Sequence, residues 1–247
     1  MADLTLLACQ HCSGYVIWVI DSPRISDKSL LYLPAVEFLL VKLSESSVVQ
    51  TKTPLIWHKN GPPGGPYYPG HDYEQICVFH NRDFKPPPLD LSQIGTPAKF
   101  DSGRGCQRTA SGGRTRSKTG VKKGQLSRPR DVLRFTVGKN SMGRPGNDGK
   151  VDKRDDSLAT SGEAPYPWKL ADYLVRGFSQ PLDLVCDPFS GTGTTMLAAI
   201  MNDRDFIGSD IRESQIKIAK KRRMLWQSAQ KNSFFPRLYR GEKGVIQ

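Results

Sequence analysis

The sequence predicts an α/β fold of alternating strands and helices, and three observations carry that prediction. The run Leu182-Asp183-Leu184-Val185-Cys186 is short and apolar and reads as a buried strand. It ends in Asp187-Pro188-Phe189 and opens into Ser190-Gly191-Thr192-Gly193-Thr194-Thr195, after which Met196 to Met201 reads as the start of a helix. A second strand, from Asp205 to Asp210, ends on an acid 23 positions beyond Asp187. Far upstream, Tyr15 to Ile20 is another buried-strand run, followed by a helical stripe and two further strands. Strand, glycine turn, helix and strand ending in an acid form a βαβ layout. In it a small ligand lies over the carboxyl ends of the strands and the acid takes ribose hydroxyls. Glycines 191 and 193 let the backbone approach such a ligand, and the helix N-terminus behind them offers free N–H groups.

The turn also says which ligands do not fit. A P-loop needs Gly-Lys-Ser/Thr, and no lysine stands there. A dinucleotide site wants a third glycine, but Gly193 is followed by Thr194, Thr195 and Met196. A nucleoside without a pyrophosphate fits better.

The other elements follow in order. Leu4 to Gln10 reads as the last turns of a helix with Gly14 as its terminator. Tyr15 to Ile20 is bounded by Asp21-Ser22-Pro23, a break signal. Val36, Leu39, Leu40 and Leu43 make one apolar stripe at helical spacing, with Pro34 near its start. Pro54 to Lys59 is a strand leading into a turn-rich GPPGGPYYPG segment, and Tyr73 to Phe79 returns as another strand. Val132 to Val137 is a short strand in an otherwise polar stretch. After Asp210 a helix places Ile211, Ile218 and Leu225 at seven-residue intervals, with Ile216 and Ala219 beside them. Lys217, Lys220, Lys221, Arg222 and Arg223 then read as its solvated basic side.

The order APYPWKLADYLVRGFS, VCDPFSGTGTT, DFIGSDIRESQIKIAKKR resembles the cofactor half of the S-adenosylmethionine-dependent DNA amino-methyltransferases. These are the adenine-N6 and cytosine-N4 enzymes of bacteria and phages, many of them in restriction-modification. The resemblance is to their β arrangement, with the catalytic half first, target recognition in the middle and the cofactor half last. It implies an α/β, Rossmann-like methyltransferase sheet, mostly parallel with an antiparallel terminal strand pair, and IWHKNGPPGG…HDYEQICVF is similar to that pair. It divides the chain into 1–80, the later part of the catalytic half; 81–160, target recognition and DNA contact; 161–230, the S-adenosylmethionine half; and 231–247, a tail.

The family's catalytic signature is Asp, Asn or Ser, then Pro-Pro and an aromatic. Asp21-Ser22-Pro23-Arg24 lacks the second proline and the aromatic, and Gly61-Pro62-Pro63-Gly64 lacks the aromatic. The expectation is therefore an N-terminally truncated sheet, with no catalytic residue assigned. In this chemistry the amine attacks a sulfonium methyl in line, and the signature orients its lone pair and stacks on a flipped-out base. The chain alone is expected to transfer little or no methyl, as a fragment, a split gene product whose second chain supplies the signature, or a decayed copy. The alternative reading is a non-catalytic nucleic-acid-binding or scaffold protein that keeps the fold.

Site roles carry over by position. The resemblance implies that the backbone at Asp187, Phe189, Ser190, Gly191 and Gly193 wraps the methionine and ribose part of the cofactor. Thr194 and Thr195 begin the helix and bond the methionine carboxylate. Asp210 holds the ribose hydroxyls, Ile211 packs on adenine, and Pro165, Tyr166 and Leu170 close the other side of the pocket. Phe189 and Ile211 have an alternative role as plain core.

Composition agrees with a DNA partner. The 247 residues carry a formal net charge of +12, which suits a polyanion. Between positions 101 and 150 stand thirteen Lys or Arg against three Asp, with few apolar residues, so this inserted region should be loop-rich. Arg104, Arg108, Arg114, Arg116, Lys118, Lys122 and Lys123 are its candidate phosphate contacts on double-stranded DNA, an ordinary solvated linker being the alternative. Five irregularly spaced cysteines argue against a disulfide framework and for a reducing, cytoplasmic compartment. Cys9-x-x-Cys12 has no second pair at matching spacing, so no metal is assigned and the two read as small apolar residues near a helix end. No apolar run approaches membrane-spanning length, and no membrane partner is expected.

Overall fold

The longer strands of this protein follow its apolar runs, and what covers each strand decides how the sheet is used. The structure, a computed structural model, describes residues 1–21, 35–59, 72–98, 106–108, 114–116, 122–135 and 167–231. The chain divides into two compact units, Met1–Pro87 with Asp131–Gln247, and Pro88–Arg130.

The large unit begins with α1 (Ala2–His11), β1 (Tyr15–Ile20), α2 (Ala35–Ser44), β2 (Val49–Thr51), β3 (Leu55–His58) and β4 (Tyr73–Asn81). The small unit holds α3 (Leu91–Ile94), β5 (Thr96–Pro97), β6 (Cys106–Arg108), β7 (Arg114–Arg116) and β8 (Leu126–Ser127). The chain then re-enters the large unit through β9 (Val132–Arg134), α4 (Trp168–Phe178), β10 (Leu184–Asp187), α5 (Thr194–Met201), β11 (Asp205–Gly208) and α6 (Glu213–Lys231).

β4 is the centre of a five-stranded sheet. β1 lies antiparallel on one edge, β2 and β3 lie antiparallel on the other, and β9 extends the sheet parallel to β3. The antiparallel pair expected from Pro54–Lys59 and Tyr73–Phe79 is therefore present as β3 and β4. Alternation along β4 splits its side chains between two cores, as the two-residue period of a strand requires. Cys77 and Phe79 join Cys9 of α1, Ile20 of β1 and the α2 stripe Val36, Leu39 and Leu43. Ile76 and Val78 join Trp57, Leu133 and, from α4, Leu170 and Leu174. Each fully buried side chain of this kind contributes about 1.5–3 kcal/mol.

Helix α4 serves two partners. Leu170 and Leu174 face the five-stranded sheet, while Ala171 and Val175 pack with Ala198 of α5 and Val185 of β10. Beyond it, β10 and β11 form a two-stranded parallel sheet in the register Leu184↔Asp205, Val185↔Phe206, Cys186↔Ile207 and Asp187↔Gly208. Val185 and Phe206 point into the cores shared with α4, α5 and α6.

Three sequence expectations need correction. The first is the buried strand from Leu182 to Cys186. Leu182 stands outside β10 at φ +72° and is 82% exposed, Leu184 is 65% exposed and Cys186 is also exposed. An apolar run reports the tendency to be covered, but here helices cover only the Val185 face. The second is Gly14. Helix α1 stops at His11 with Cys12 already extended, so the chain needs no left-handed terminator, and Gly14 has no positive φ.

The third is the stripe on α6. Ile211 precedes the helix, Leu225 is exposed, and the buried positions are Gln215, Ala219, Arg222 and Trp226. These also follow a helical period, but two are polar, so the apolar stripe only partly marks the buried face: Ala219 lies on it, Ile216 and Ile218 are half-buried, and Ile211 and Leu225 lie off it. The short strand Val49–Thr51 carries no sequence signal, since three residues are too few for a period to register.

In the small unit, Asp90 caps α3 by accepting the Ser92 N–H at 2.9 Å. β5 pairs with β8, and β6 pairs with β7, all antiparallel. Among the described residues no helix is long and apolar enough to cross a membrane.

Candidate ligand site

β10 and β11 run parallel, so their carboxyl ends open on one side, and the two segments that leave them are tied together. Ser209 N–H donates to Asp187 O at 3.1 Å and Ser190 N–H donates to Ser209 O at 2.8 Å. The Ser209 hydroxyl donates to Pro188 O at 3.1 Å. Gly208 is needed beside them, because a Cβ there would lie 3.1 Å from Asp187 O and would strike the Phe206 ring.

The loop itself turns through two left-handed glycines, Gly191 at φ +49° and Gly193 at φ +81°. Gly193 N–H donates to Ser190 O at 2.8 Å, and Gly193 is the N-cap residue of α5. A Cβ on Gly193 would sit 2.9 Å from the Met196 methyl and 3.0 Å from Ala219 Cβ, so both conformation and space require glycine.

Two carboxylates frame the loop. Asp210 Oδ2 accepts the Gly191 N–H at 3.0 Å, and Oδ1 accepts the Arg212 N–H at 2.9 Å with the Arg212 guanidinium at 3.5 Å. Burial alone would raise its pKa, but the Arg212 and Gly191 N–H groups and the Arg212 guanidinium hold it below the ordinary carboxylate value. A carboxylate has about four acceptor positions, so capacity remains for ligand hydroxyls. Asp187 differs. Its Oδ1 accepts the Phe189 N–H at 3.0 Å and it also receives the Thr195 hydroxyl. Burial nevertheless raises its pKa, and the Asp210 charge adds to that.

The predicted cofactor residues divide by exposure. Phe189 is 62% exposed and Ile211 99% exposed, so neither is core; the Phe189 ring lies 6.0 Å from that of Trp18 on β1, centroid to centroid. Ser190, Thr192 and Thr194 are buried. The Thr194 hydroxyl lies 3.5 Å from Arg222 Nη1 and so is directed at α6, leaving its backbone N–H as what it offers a ligand. Pro165 and Tyr166 lie outside the described residues, and Leu170 is buried in the sheet core rather than on a pocket wall.

Sequence reasoning missed Arg222. It is buried, and its Nη1 donates to Thr192 O at 2.8 Å and to Thr192 Oγ1 at 3.2 Å. Burial pushes its pKa down to about 10, which still leaves it charged at neutral pH. Its spacing of three from Ala219 and seven from Gln215 puts it on the buried face of α6, but nothing in the local sequence distinguishes it from a solvated arginine.

For the basic residues, β6 and β7 bring Arg108 opposite Arg114 and Cys106 opposite Arg116. Lys122 and Lys123 are exposed; Arg104 and Lys118 lie outside the described residues. Cys9 is fully buried with its thiol raised to about 11 by burial and by Cys12, as befits an apolar packing role.

A family of proteins described as DNA methylases matches residues 12–221. The chain belongs to the DNA methylase family. Among curated relatives, the orphan methyltransferase M.BamHII of Bacillus amyloliquefaciens is 39% identical over 67 residues, which is 27% of this chain and 25% of that protein. The type II methyltransferase M.MthZI of Methanothermobacter thermautotrophicus is 48% identical over 48 residues, 19% of this chain and 14% of that one. The aligned stretches therefore span a quarter or less of these relatives.

Two solved structures share the fold. The PvuII DNA methyltransferase, cytosine-N4-specific, superposes with a TM-score of 0.61 at 15% identity, over 90% of this chain and 70% of that one. TTHA0409 of Thermus thermophilus, complexed with S-adenosyl-L-methionine, gives 0.54 at 19% identity, over 90% and 75%. The expected Rossmann-like methyltransferase fold is thus the one observed, with one correction: among the described residues the five-stranded sheet is mostly antiparallel, since β4 pairs antiparallel with β1, β2 and β3 and only β9 lies parallel to its neighbour.

Proposed function

We propose that the loop from Asp187 to Thr195, with Asp210, binds S-adenosylmethionine, and that this chain is the cofactor-holding part of a site-specific DNA methyltransferase. The acceptor is an exocyclic amine, adenine N6 or cytosine N4. The observation that carries the reading is the Asp210 carboxylate. It stands just beyond the carboxyl end of β11, is tied to Gly191 of the loop, and has acceptor positions left over from its protein hydrogen bonds. The left-handed glycines give the backbone the close approach that a methionine chain requires, and Phe189 and Ile211 are exposed apolar groups suited to pack on an adenine ring. The bound cofactor would supply an electrophilic methyl on its sulfonium. The residues named here bind and orient it.

Nothing in the described site positions the amine nucleophile. In-line alignment is worth several kcal/mol, up to about 7–11 in well-ordered systems, so the chain by itself should be nearly inactive. A second chain is the proposed source of the missing signature. Two features support such a partner. β1 and β10 each have one sheet neighbour among the described residues, and the Leu184, Cys186 and Ile207 face of the two-stranded sheet is bare.

DNA contact is assigned to 81–160. Its support is the clustering of basic residues in the sequence, thirteen Lys or Arg against three Asp between positions 101 and 150. Calorimetry with S-adenosylmethionine tests the core of the proposal: one site per chain is expected, and absence of binding rejects it. Methylation of duplex DNA by the purified chain at the rate of a whole enzyme would reject the need for a partner.

A further inference from the structure

Arg222 lies where the helix was expected to be solvated, yet it is 6% exposed. Among the described residues no carboxylate stands within ion-pair distance of it. Its Nη1 bonds instead to the Thr192 carbonyl at 2.8 Å and the Thr192 hydroxyl at 3.2 Å, with the Thr194 hydroxyl at 3.5 Å. A buried guanidinium without an anionic partner is an unfavourable way to fill space, since an apolar side chain of similar length would do so without desolvating a charge. Its hydrogen bonds all go to one segment, and that segment is the ligand loop.

A second contact points the same way. Ala219, three positions earlier on α6, sits where Gly193 must lack a side chain, with a Cβ on Gly193 falling 3.0 Å from Ala219 Cβ. Helix α6 therefore touches the loop twice, by contact at Gly193 and by hydrogen bonds on either side of it. Thr192 and Thr194 are themselves buried, so the loop has a fixed inner side held by α6. Its other side carries the Gly191 N–H that meets Asp210.

We infer that Arg222 is a positioning residue for cofactor binding: it holds Thr192-Gly193-Thr194 in the conformation that presents the loop and the α5 N-terminus to the ligand. This rests on the reading of the loop as an S-adenosylmethionine site. Arg222 is too buried to meet the ligand, so it acts through the loop.

The test measures S-adenosylmethionine affinity by calorimetry, thermal unfolding by circular dichroism, and amide exchange of 190–195 against 215–228. It compares the native chain with Arg222→Met and Arg222→Lys. The methionine variant removes the buried charge but leaves the Thr192 carbonyl without this donor; the two effects oppose, so its thermal midpoint should change little. Its dissociation constant should rise by at least about tenfold, which corresponds to about 1.4 kcal/mol. Exchange should quicken in 190–195 and not in 215–228. Lysine, which returns one donor, should recover part of the affinity.

Native affinity in Arg222→Met overturns the inference. So does a parallel loss of affinity and midpoint in both variants, which would mark a general structural role. If the methionine variant does not fold, Arg222→Lys decides: native affinity and native loop exchange in it overturn the inference. If the native chain binds no S-adenosylmethionine, the underlying reading falls and this inference falls with it.

Discussion

The two sheets of the large unit treat their faces differently. The five-stranded sheet is covered on both sides, by α1 and α2 over Cys77 and Phe79 and by α4 over Ile76 and Val78. The two-stranded sheet is covered on one side only, and its buried contacts include polar groups that hold a loop. The first sheet gains stability from apolar area. The second places its carboxyl-terminal loops around two carboxylates and leaves Leu184, Cys186 and Ile207 open. One chain thus contains a region optimised for cohesion beside one whose side chains are disposed around a site, and the difference shows in what each should lose on mutation.

The largest effect should come from the cohesive region. Phe79→Ala empties a fully buried position and should lower unfolding free energy by about 3–5 kcal/mol, read from the urea midpoint. A loss under about 1 kcal/mol would mean that this core is not the cohesive part. Next, Asp210→Ala removes two charge-assisted hydrogen bonds at the site. It should weaken S-adenosylmethionine binding by roughly 10- to 100-fold, consistent with about 1.5–3 kcal/mol for a bond to a charged group.

The pH dependence has a definite sign. Asp210 has a lowered folded pKa, so its stabilisation is complete above its unfolded value, near 3.8, and is lost as pH falls through the lower folded one. Asp187, whose pKa is raised, works the other way, and the folded state gains relative stability as it takes up a proton. Acid titration of unfolding in Asp210→Asn and Asp187→Asn should move the acid limb in opposite directions.

Gly193→Ala sharpens the comparison at intermediate size. The left-handed backbone and the contacts with Met196 and Ala219 should together cost about 1–3 kcal/mol, measured by thermal unfolding. The smallest effect is expected on the bare face. Leu184→Ser should change stability by less than about 0.5 kcal/mol in the isolated chain. A loss near that of Phe79→Ala would show that the face is covered after all.

The same contrast explains what could be read in advance. Tyr15–Ile20 is legible as an unbroken apolar run, and residues 76–79 as the apolar part of a strand buried on both faces. The glycine loop and Asp210 are legible because their chemistry restricts residue type at fixed spacing. Arg222 and Gln215 were not legible, since a buried polar residue on a basic helix has the same local pattern as a solvated one. Leu184 misled for the converse reason: a run that asks for cover on two sides says nothing about how many sides receive it.

Within the large unit, the two chain points that flank Pro88–Arg130 are each held by a hydrogen bond. The Tyr15 hydroxyl donates to Pro87 O at 3.0 Å just before it begins, and Ile56 N–H donates to Asp131 O at 2.8 Å just after it ends. A segment anchored in this way behaves thermodynamically as a closed loop, and doubling its length costs only about 0.6 kcal/mol of closure entropy. Natural variation can therefore lengthen, shorten or exchange the Pro88–Arg130 segment while the sheet keeps its register. That makes this stretch the least costly place in the chain to accept an insertion.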